Sequence, residues 1–258
     1  ALYTTLNCPF SCSFCMISSP FGGPGYQKWS PALIGHEIQR LIESQGGTTL
    51  HLKIVDEMFW LVERHVEALC DELDQERGLG DSLNIWAYAR VDSIRRPALL
   101  DKARRAGFRW LALGIEAADS TVRDGQDKDF SDAQIVKTVR AIQDAGIHVI
   151  GNYIFGLPGD TMESMRRTLD LALELRCEWA NFYPAMAFPG SRLYRDAVAS
   201  GVRLPETWAG YAPVGYECVP LPTAALTSEE ILHFRDMAFL RYFGDPEYLA
   251  MMQETFGQ

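Results

Sequence analysis

The chain has 258 residues, 47% of them hydrophobic and 22% charged, and its formal net charge is -10 at pH 7. This length and apolar content are enough for one large hydrophobic core. The negative charge gives no electrostatic footprint for nucleic acid or anionic lipid, so a small-molecule substrate is the better expectation. No apolar run is long enough to span a bilayer, and no signal peptide is visible. Six cysteines without a regular disulfide framework predict a reducing compartment, the cytoplasm.

The first predicted element is a short strand, Leu2 to Leu6, which leads directly into a group of cysteines. Cys8, Cys12 and Cys15 follow with the spacing C-x3-C-x2-C. Three thiolates so closely spaced can hold one inorganic centre, and a four-iron cluster held at three irons keeps one iron open for a small molecule. The spacing therefore favours catalysis over electron storage.

Two simpler metal sites fit this segment less well. A structural zinc site usually has four ligands, and the next candidate after Cys15 is the distant His36. A ferredoxin would have a fourth cysteine nearby, whereas Cys70, Cys177 and Cys218 are isolated from one another. Cys70 lies on the apolar stripe of a predicted helix, which indicates a core position.

Helical and strand patterns alternate along the rest of the chain. Five further strands, each preceded by an apolar helical stripe, are predicted at 50–55, 85–90, 110–116, 148–155 and 179–186. Together with the first strand they make six. Regular alternation of this kind predicts parallel βα units, in an open sheet or a barrel.

The predicted strands have one apolar face and one polar face. Leu50, Leu52 and Ile54 alternate with His51 and Lys53. A doubly wound sheet, buried on both faces, would instead show continuous apolar runs, so a curved sheet around a polar lumen fits better. His51 and Lys53 are candidates for substrate contacts in this lumen, and an ordinary hydrogen bond there is an equally good interpretation.

Four motifs together resemble the radical S-adenosylmethionine (SAM) superfamily. They are the cysteine spacing with Phe14 before its third cysteine, the loop Val55-Asp56-Glu57-Met58-Phe59, the segment Leu113-Gly114-Ile115-Glu116, and the glycine-rich Gly151 to Thr161. The resemblance covers residues 1–200 and implies an α/β fold, a six-stranded partial (β/α)6 TIM-like barrel. Residues 201–258 would form a C-terminal loop and helical extension, with helices from Thr227 and from Pro246 to Phe256.

The resemblance also implies a chemistry and a set of SAM contacts. In the family a reduced 4Fe-4S cluster cleaves SAM to methionine and a 5′-deoxyadenosyl radical, with electrons from an external flavodoxin or ferredoxin. Glu57 would contact the SAM amine and Glu116 the ribose or amine, while Arg90 could offer its guanidinium fork to the SAM carboxylate. Simple salt bridges at the strand ends are the alternative for these three residues. The remaining candidates lie near the adenosine and are Phe14, Asn152 and Tyr183.

Further motifs resemble one branch of this family. They are Leu2 to Pro9, Asp56-Glu57-x-Phe59, Ala89-Arg90-Val91-Asp92 and Phe188 to Ser191. That branch carries an N-terminal cobalamin-binding domain, which would precede Ala1, where this chain begins directly on a predicted strand. The resemblance implies a cobalamin-dependent methyltransferase acting on a small biosynthetic molecule. A cobalamin-independent radical SAM enzyme, such as a porphyrinogen oxidase or methylthiotransferase, and a non-catalytic iron-sulfur redox or scaffold protein remain as alternatives.

Overall fold

The computed structural model describes residues 1–124, 128 and 130–257, and the chain divides by its contacts into two compact units. The first unit combines Ala1–Pro9, Gly25–Gly114 and Ala133–Ile150. The second unit combines Phe10–Pro24, Ile115–Asp132 and Gly151–Gln258. Each unit is therefore built from segments that are distant in sequence.

The described strands belong to two sheets. They are β1 (Thr5–Leu6), β2 (Gln27–Lys28), β3 (Leu50–Lys53), β4 (Leu83–Arg90), β5 (Phe108–Glu116), β6 (His148–Phe155) and β7 (Trp179–Pro184). β1 and β2 pair antiparallel, and β3 to β7 form a five-stranded sheet in the order of the sequence. β4 runs parallel to both β3 and β5.

Several of the helices begin at a residue whose side chain caps them. They are α1 (Pro31–Ser44), α2 (Glu63–Asp71), α3 (Ala98–Arg105), α4 (Ser120–Asp124), α5 (Asp132–Asp144), α6 (Met162–Leu175), α7 (Arg192–Ala199), α8 (Ser228–Phe243) and α9 (Pro246–Phe256). Ser30 caps α1, and Thr161 and Thr227 form capping boxes at α6 and α8. No helix in the described part of the chain is both long enough and apolar enough to cross a membrane.

Alternation along β3 and β4 separates a buried face from a more open one. Leu50 and Leu52 of β3 are buried, whereas His51 and Lys53 are exposed. β4 alternates in the same way over most of its length. The Lys53 ammonium lies 4.0 Å from the centre of the Trp86 ring, a cation–π contact on the open face. The prediction of one apolar and one polar face is confirmed for these strands.

The predicted first strand is shorter than expected, so the sheet has five strands rather than six. Leu2 forms a single parallel bridge to Ile54, and Thr5 and Leu6 then pair with β2 in the other sheet. The Asp56 carboxylate then takes the place of a backbone partner: its Oδ1 accepts the Thr4 amide at 2.6 Å and its Oδ2 the Thr5 hydroxyl at 2.9 Å. A side chain that satisfies these donors removes the need for a continued ladder.

In the second unit, the C-terminal helices are anchored at and next to β7. The Tyr242 hydroxyl of α8 donates to the Cys177 carbonyl at 2.5 Å, and the Tyr248 hydroxyl of α9 donates to the Glu178 carbonyl at 3.1 Å. Phe234 of α8 packs edge-on against Phe155, with ring centres 4.9 Å apart. The two predicted C-terminal helices are confirmed, and the boundary after residue 200 stays a prediction.

Candidate functional site

The three cysteines of the C-x3-C-x2-C segment form no disulfide, and each is partly exposed. The Cys15 amide donates to the Cys12 carbonyl at 3.0 Å, which closes a tight turn between them. Cys70, Cys177 and Cys218 also form no disulfide, and they are buried. Burial raises the pKa of Cys70 to about 12, so this thiol is an unreactive core group.

The donor set of this segment fits an iron-sulfur cluster. The three cysteines are partly exposed and form no disulfide, and cysteine thiolates are the ligands that iron-sulfur clusters use. Among the residues that the structure describes, no group of three or more His, Cys, Asp or Glu side chains converges closely enough to hold a metal ion. The assignment therefore stands on the chemistry and spacing of the thiols.

Glu57 lies in the loop after β3, and its side chain contacts the cysteine segment. Its Oε2 accepts the backbone amide of Asn7 at 3.0 Å, one residue before Cys8. The neighbouring Asp56 is fully buried and accepts hydrogen bonds from Thr4 and Thr5. The structure thus brings one predicted SAM contact, Glu57, next to one predicted cluster ligand, Cys8.

Arg90 ends β4, and its guanidinium is engaged by a nearby carboxylate. Its Nε lies 2.9 Å from Asp92 Oδ1 and its Nη2 lies 3.0 Å from Asp92 Oδ2, a two-point ion pair. Arg90 is buried. Asp92 follows only two residues later, so this partner could have been found from the sequence.

Glu116 ends β5 and forms a buried ion pair with Lys128. The Lys128 Nζ lies 2.5 Å from Glu116 Oε1, and the two residues are 4% and 5% exposed. The Glu116 backbone has a φ of 68°, which is unfavourable for a residue with a side chain. Sequence reasoning missed Lys128, although a lysine shortly after a strand-end carboxylate is a usable signal.

An apolar pocket of about 250 Å³ lies within the second unit. Two of the residues predicted to lie near adenosine, Phe14 and Tyr183, line it together. The other lining residues are Ile154, Pro184, Ala185, Met186, Phe188 and Pro213. Asn152, also predicted near adenosine, does not line this pocket, and its Oδ1 accepts a hydrogen bond from Asn181 Nδ2 at 3.0 Å. A pocket walled by rings and aliphatic side chains suits a flat heteroaromatic group.

A family model described as the Radical SAM superfamily matches residues 2–172. The chain belongs to the radical SAM superfamily. Its solved relatives include the radical SAM methyltransferase TsrM from Kitasatospora setae, with cobalamin and a 4Fe-4S cluster bound. The TM-score is 0.71 at 21% identity, over 90% of this chain and 46% of that one. This likeness confirms the predicted fold, a radical SAM partial TIM-like barrel, here with five sheet strands and a helical extension.

Curated relatives also match most of the chain. An uncharacterised methyltransferase of Pyrococcus horikoshii is 26% identical over 95% of this chain and 51% of the relative. An anaerobic magnesium-protoporphyrin IX monomethyl ester cyclase of Cereibacter sphaeroides is 28% identical over 74% of this chain and 30% of the relative. The chain thus spans about half the length of the first of these curated relatives and less of the second.

Proposed function

We propose that this chain is the catalytic core of a radical SAM methyltransferase that acts on a small molecule. The observation that carries the proposal is the set of three partly exposed cysteines without disulfides, Cys8, Cys12 and Cys15, within the part of the chain that the family model matches. They would hold a 4Fe-4S cluster with one iron open to SAM. When bound, the cluster supplies the electron that cleaves SAM to methionine and a 5′-deoxyadenosyl radical. That electron would come from an external flavodoxin or ferredoxin.

Glu116 and Lys128 form a site that is complementary to the amino-acid end of SAM. The methionyl part of SAM carries an ammonium and a carboxylate, and the buried pair presents one charge of each sign. In the complex, Glu116 would bind the ammonium and Lys128 the carboxylate. Both protein charges lie away from water before SAM arrives, which strengthens their interaction with a charged ligand. Lys128 is thus the proposed partner of the carboxylate, since Asp92 already engages Arg90.

The apolar pocket of the second unit would hold the adenine base. Phe14 and Tyr183 supply ring faces, and the aliphatic lining excludes water from the base. Asn152 accepts a hydrogen bond from Asn181 through its Oδ1 and stands outside this lining, so its contact with the adenosine stays a prediction. Glu57 accepts the Asn7 amide through one carboxylate oxygen, and its contact with the SAM amine is the alternative to that of Glu116.

Methyl transfer is supported by relatives of this chain that are named as methyltransferases. Cobalamin as the methyl carrier is supported by the solved TsrM structure that contains it. We propose that cobalamin is held mainly by protein outside this chain, because the chain covers 46% of that structure. Cysteines without disulfides suit a reducing compartment, so we propose that the protein is cytoplasmic.

The test is anaerobic reconstitution of the chain with iron and sulfide, followed by reduction in the presence of SAM. Formation of 5′-deoxyadenosine supports radical SAM chemistry. Methyl transfer would also convert SAM to S-adenosylhomocysteine, so this product should appear when cobalamin and the flanking protein are supplied. A full cluster without SAM binding or cleavage would contradict the proposal and indicate a redox or scaffold protein.

A second candidate is a cobalamin-independent oxidase or cyclase. The similarity to the magnesium-protoporphyrin cyclase, over 74% of this chain, supports a cyclase reaction in place of methyl transfer. The same assay separates the two candidates, because this enzyme would form 5′-deoxyadenosine and no S-adenosylhomocysteine whether or not cobalamin is present.

A further inference from the structure

The segment that leads to the first cysteine is held by the loop after β3. Asp56 binds Thr4 and Thr5, and the next residue, Glu57, binds the backbone amide of Asn7 at 3.0 Å. These bonds join residues about 50 positions apart in the chain, and all of them lie within the first unit. The position of the segment before Cys8 is therefore fixed by two adjacent carboxylates.

Asn7 has a left-handed backbone conformation, with a φ of 70°. Asparagine tolerates this conformation better than most residues, because its short polar side chain can bond to the nearby backbone. Here the Asn7 Oδ1 accepts the Cys8 amide at 2.7 Å. The left-handed turn thus places a side-chain acceptor directly at the first cysteine.

Both the backbone amide and the backbone carbonyl of Cys8 are hydrogen-bonded. The Gly25 amide donates to the Cys8 carbonyl at 3.2 Å. A Cβ atom on Gly25 would lie only 3.0 Å from Asn7 Nδ2, so glycine allows the Asn7 side chain to approach this closely. With both peptide groups fixed, the direction of the Cys8 side chain is set by Asn7 and its neighbours.

We propose that Glu57 and Asn7 are positioning residues for the cluster. Glu57 fixes the left-handed turn at Asn7, and Asn7 fixes the backbone of Cys8 and so the direction of its thiolate. This inference rests on the proposed function, because it requires a cluster at Cys8. It assigns to Glu57 a role that is independent of SAM.

Two consequences follow for the cluster before SAM binds. Only three thiolates hold it, so a misdirected first thiolate weakens a large share of its attachment. Glu57 binds the amide of Asn7, the residue before Cys8. Its negative charge there also disfavours adding an electron to the cluster and so lowers the reduction potential of the cluster.

The experiment compares variants of the 258-residue chain reconstituted without SAM. Asn7→Gly keeps the left-handed turn and the amide that Glu57 binds, but removes the acceptor for Cys8. Asn7→Asp restores an acceptor. Glu57→Ala removes the carboxylate, and Glu57→Gln keeps an acceptor without the charge. Glu63→Ala is the control, because Glu63 also accepts two backbone amides, those of Arg95 and Arg96, away from the cysteines.

The readouts are iron loss to a chelator, the EPR spectrum of the reduced cluster, its midpoint potential, and urea unfolding of the metal-free chain. We expect Asn7→Gly and Glu57→Ala to lose iron about tenfold faster than wild type, with altered EPR g-values, since each removes one hydrogen bond from this support. Asn7→Asp should match wild type in its rate of iron loss and in its EPR g-values. Glu57→Gln should retain iron and shift the potential to a more positive value.

The proposal is overturned if Asn7→Gly and Glu57→Ala retain iron and the wild-type EPR spectrum as Glu63→Ala does. If the midpoint potential of the cluster is unchanged in Glu57→Gln, the part of the proposal that concerns the negative charge of Glu57 is overturned. Unfolding of the metal-free chain separates cluster support from general stability, because Asn7→Gly should fold as well as wild type. If wild type itself assembles no four-iron cluster, the proposed function fails; if it does and the variants behave like the control, this inference alone fails.

Discussion

Replacing Lys128 with Met would leave the Glu116 carboxylate buried without its partner. The two charged atoms are 2.5 Å apart, and the side chains of Lys128 and Glu116 are 5% and 7% exposed. At an effective dielectric constant of about 20, the Coulomb attraction at this distance is about 7 kcal/mol, most of which offsets the cost of removing both charges from water. Removing one partner should therefore lower the free energy of unfolding by about 3–5 kcal/mol.

A double-mutant cycle measures this pair directly. Urea unfolding of wild type, Lys128→Met, Glu116→Gln and the double variant gives the coupling free energy. The double variant has no unpaired charge, so it should recover much of the stability that either single variant loses. The exposed pair Arg40–Glu37 on α1 provides a matched cycle, for which we expect a much smaller coupling. Additive effects at Lys128 and Glu116, within about 0.5 kcal/mol, would refute the reasoning.

Three further predictions concern single side chains. Cys12→Ala should prevent assembly of the four-iron cluster, while Cys70→Ala should leave it intact. Equal iron and sulfide content in the two variants would show that Cys12 is not a cluster ligand. Phe14→Ala should weaken SAM binding roughly tenfold, since stacking on a base contributes ~1–3 kcal/mol. Phe21→Ala, at an exposed position, should leave SAM binding unchanged. Equal SAM affinities of the two variants in calorimetric titration would contradict this prediction. Burial raises the pKa of the Asp160 carboxyl above its usual value, so its contribution to stability is lost as pH rises through that raised pKa. Asp160→Asn should therefore gain stability relative to wild type as pH is raised above about 4. A difference in urea unfolding that stays constant with pH would contradict this.

The sequence predicts most of the strands and helices because their signals are local. Alternation in β3 and β4 identifies the buried face, and cap residues such as Thr161 and Thr227 mark where helices begin. The first strand is shorter than the sequence predicts. A local strand signal does not show that Asp56, about 50 residues later, accepts hydrogen bonds from Thr4 and Thr5. Pairing of side chains with backbone across such a distance leaves no periodic signal.

The sequence predicts which residues belong to the candidate site better than it predicts the protein groups that bind them. Glu57, Arg90 and Glu116 were recognised as polar groups in and just after the strands, and the structure finds each of them bound by a protein group. Asp92 was within reach of local reasoning, because it follows Arg90 by two positions. Asn7 was not, since its role depends on a left-handed backbone angle and on a glycine that follows in another segment.

The most direct test of the central claim is the detection of 5′-deoxyadenosine after anaerobic reconstitution and reduction of the chain with SAM. The account predicts that wild type forms it and that Cys12→Ala does not. A wild-type chain that assembles a complete 4Fe-4S cluster, yet neither binds nor cleaves SAM, would contradict the account.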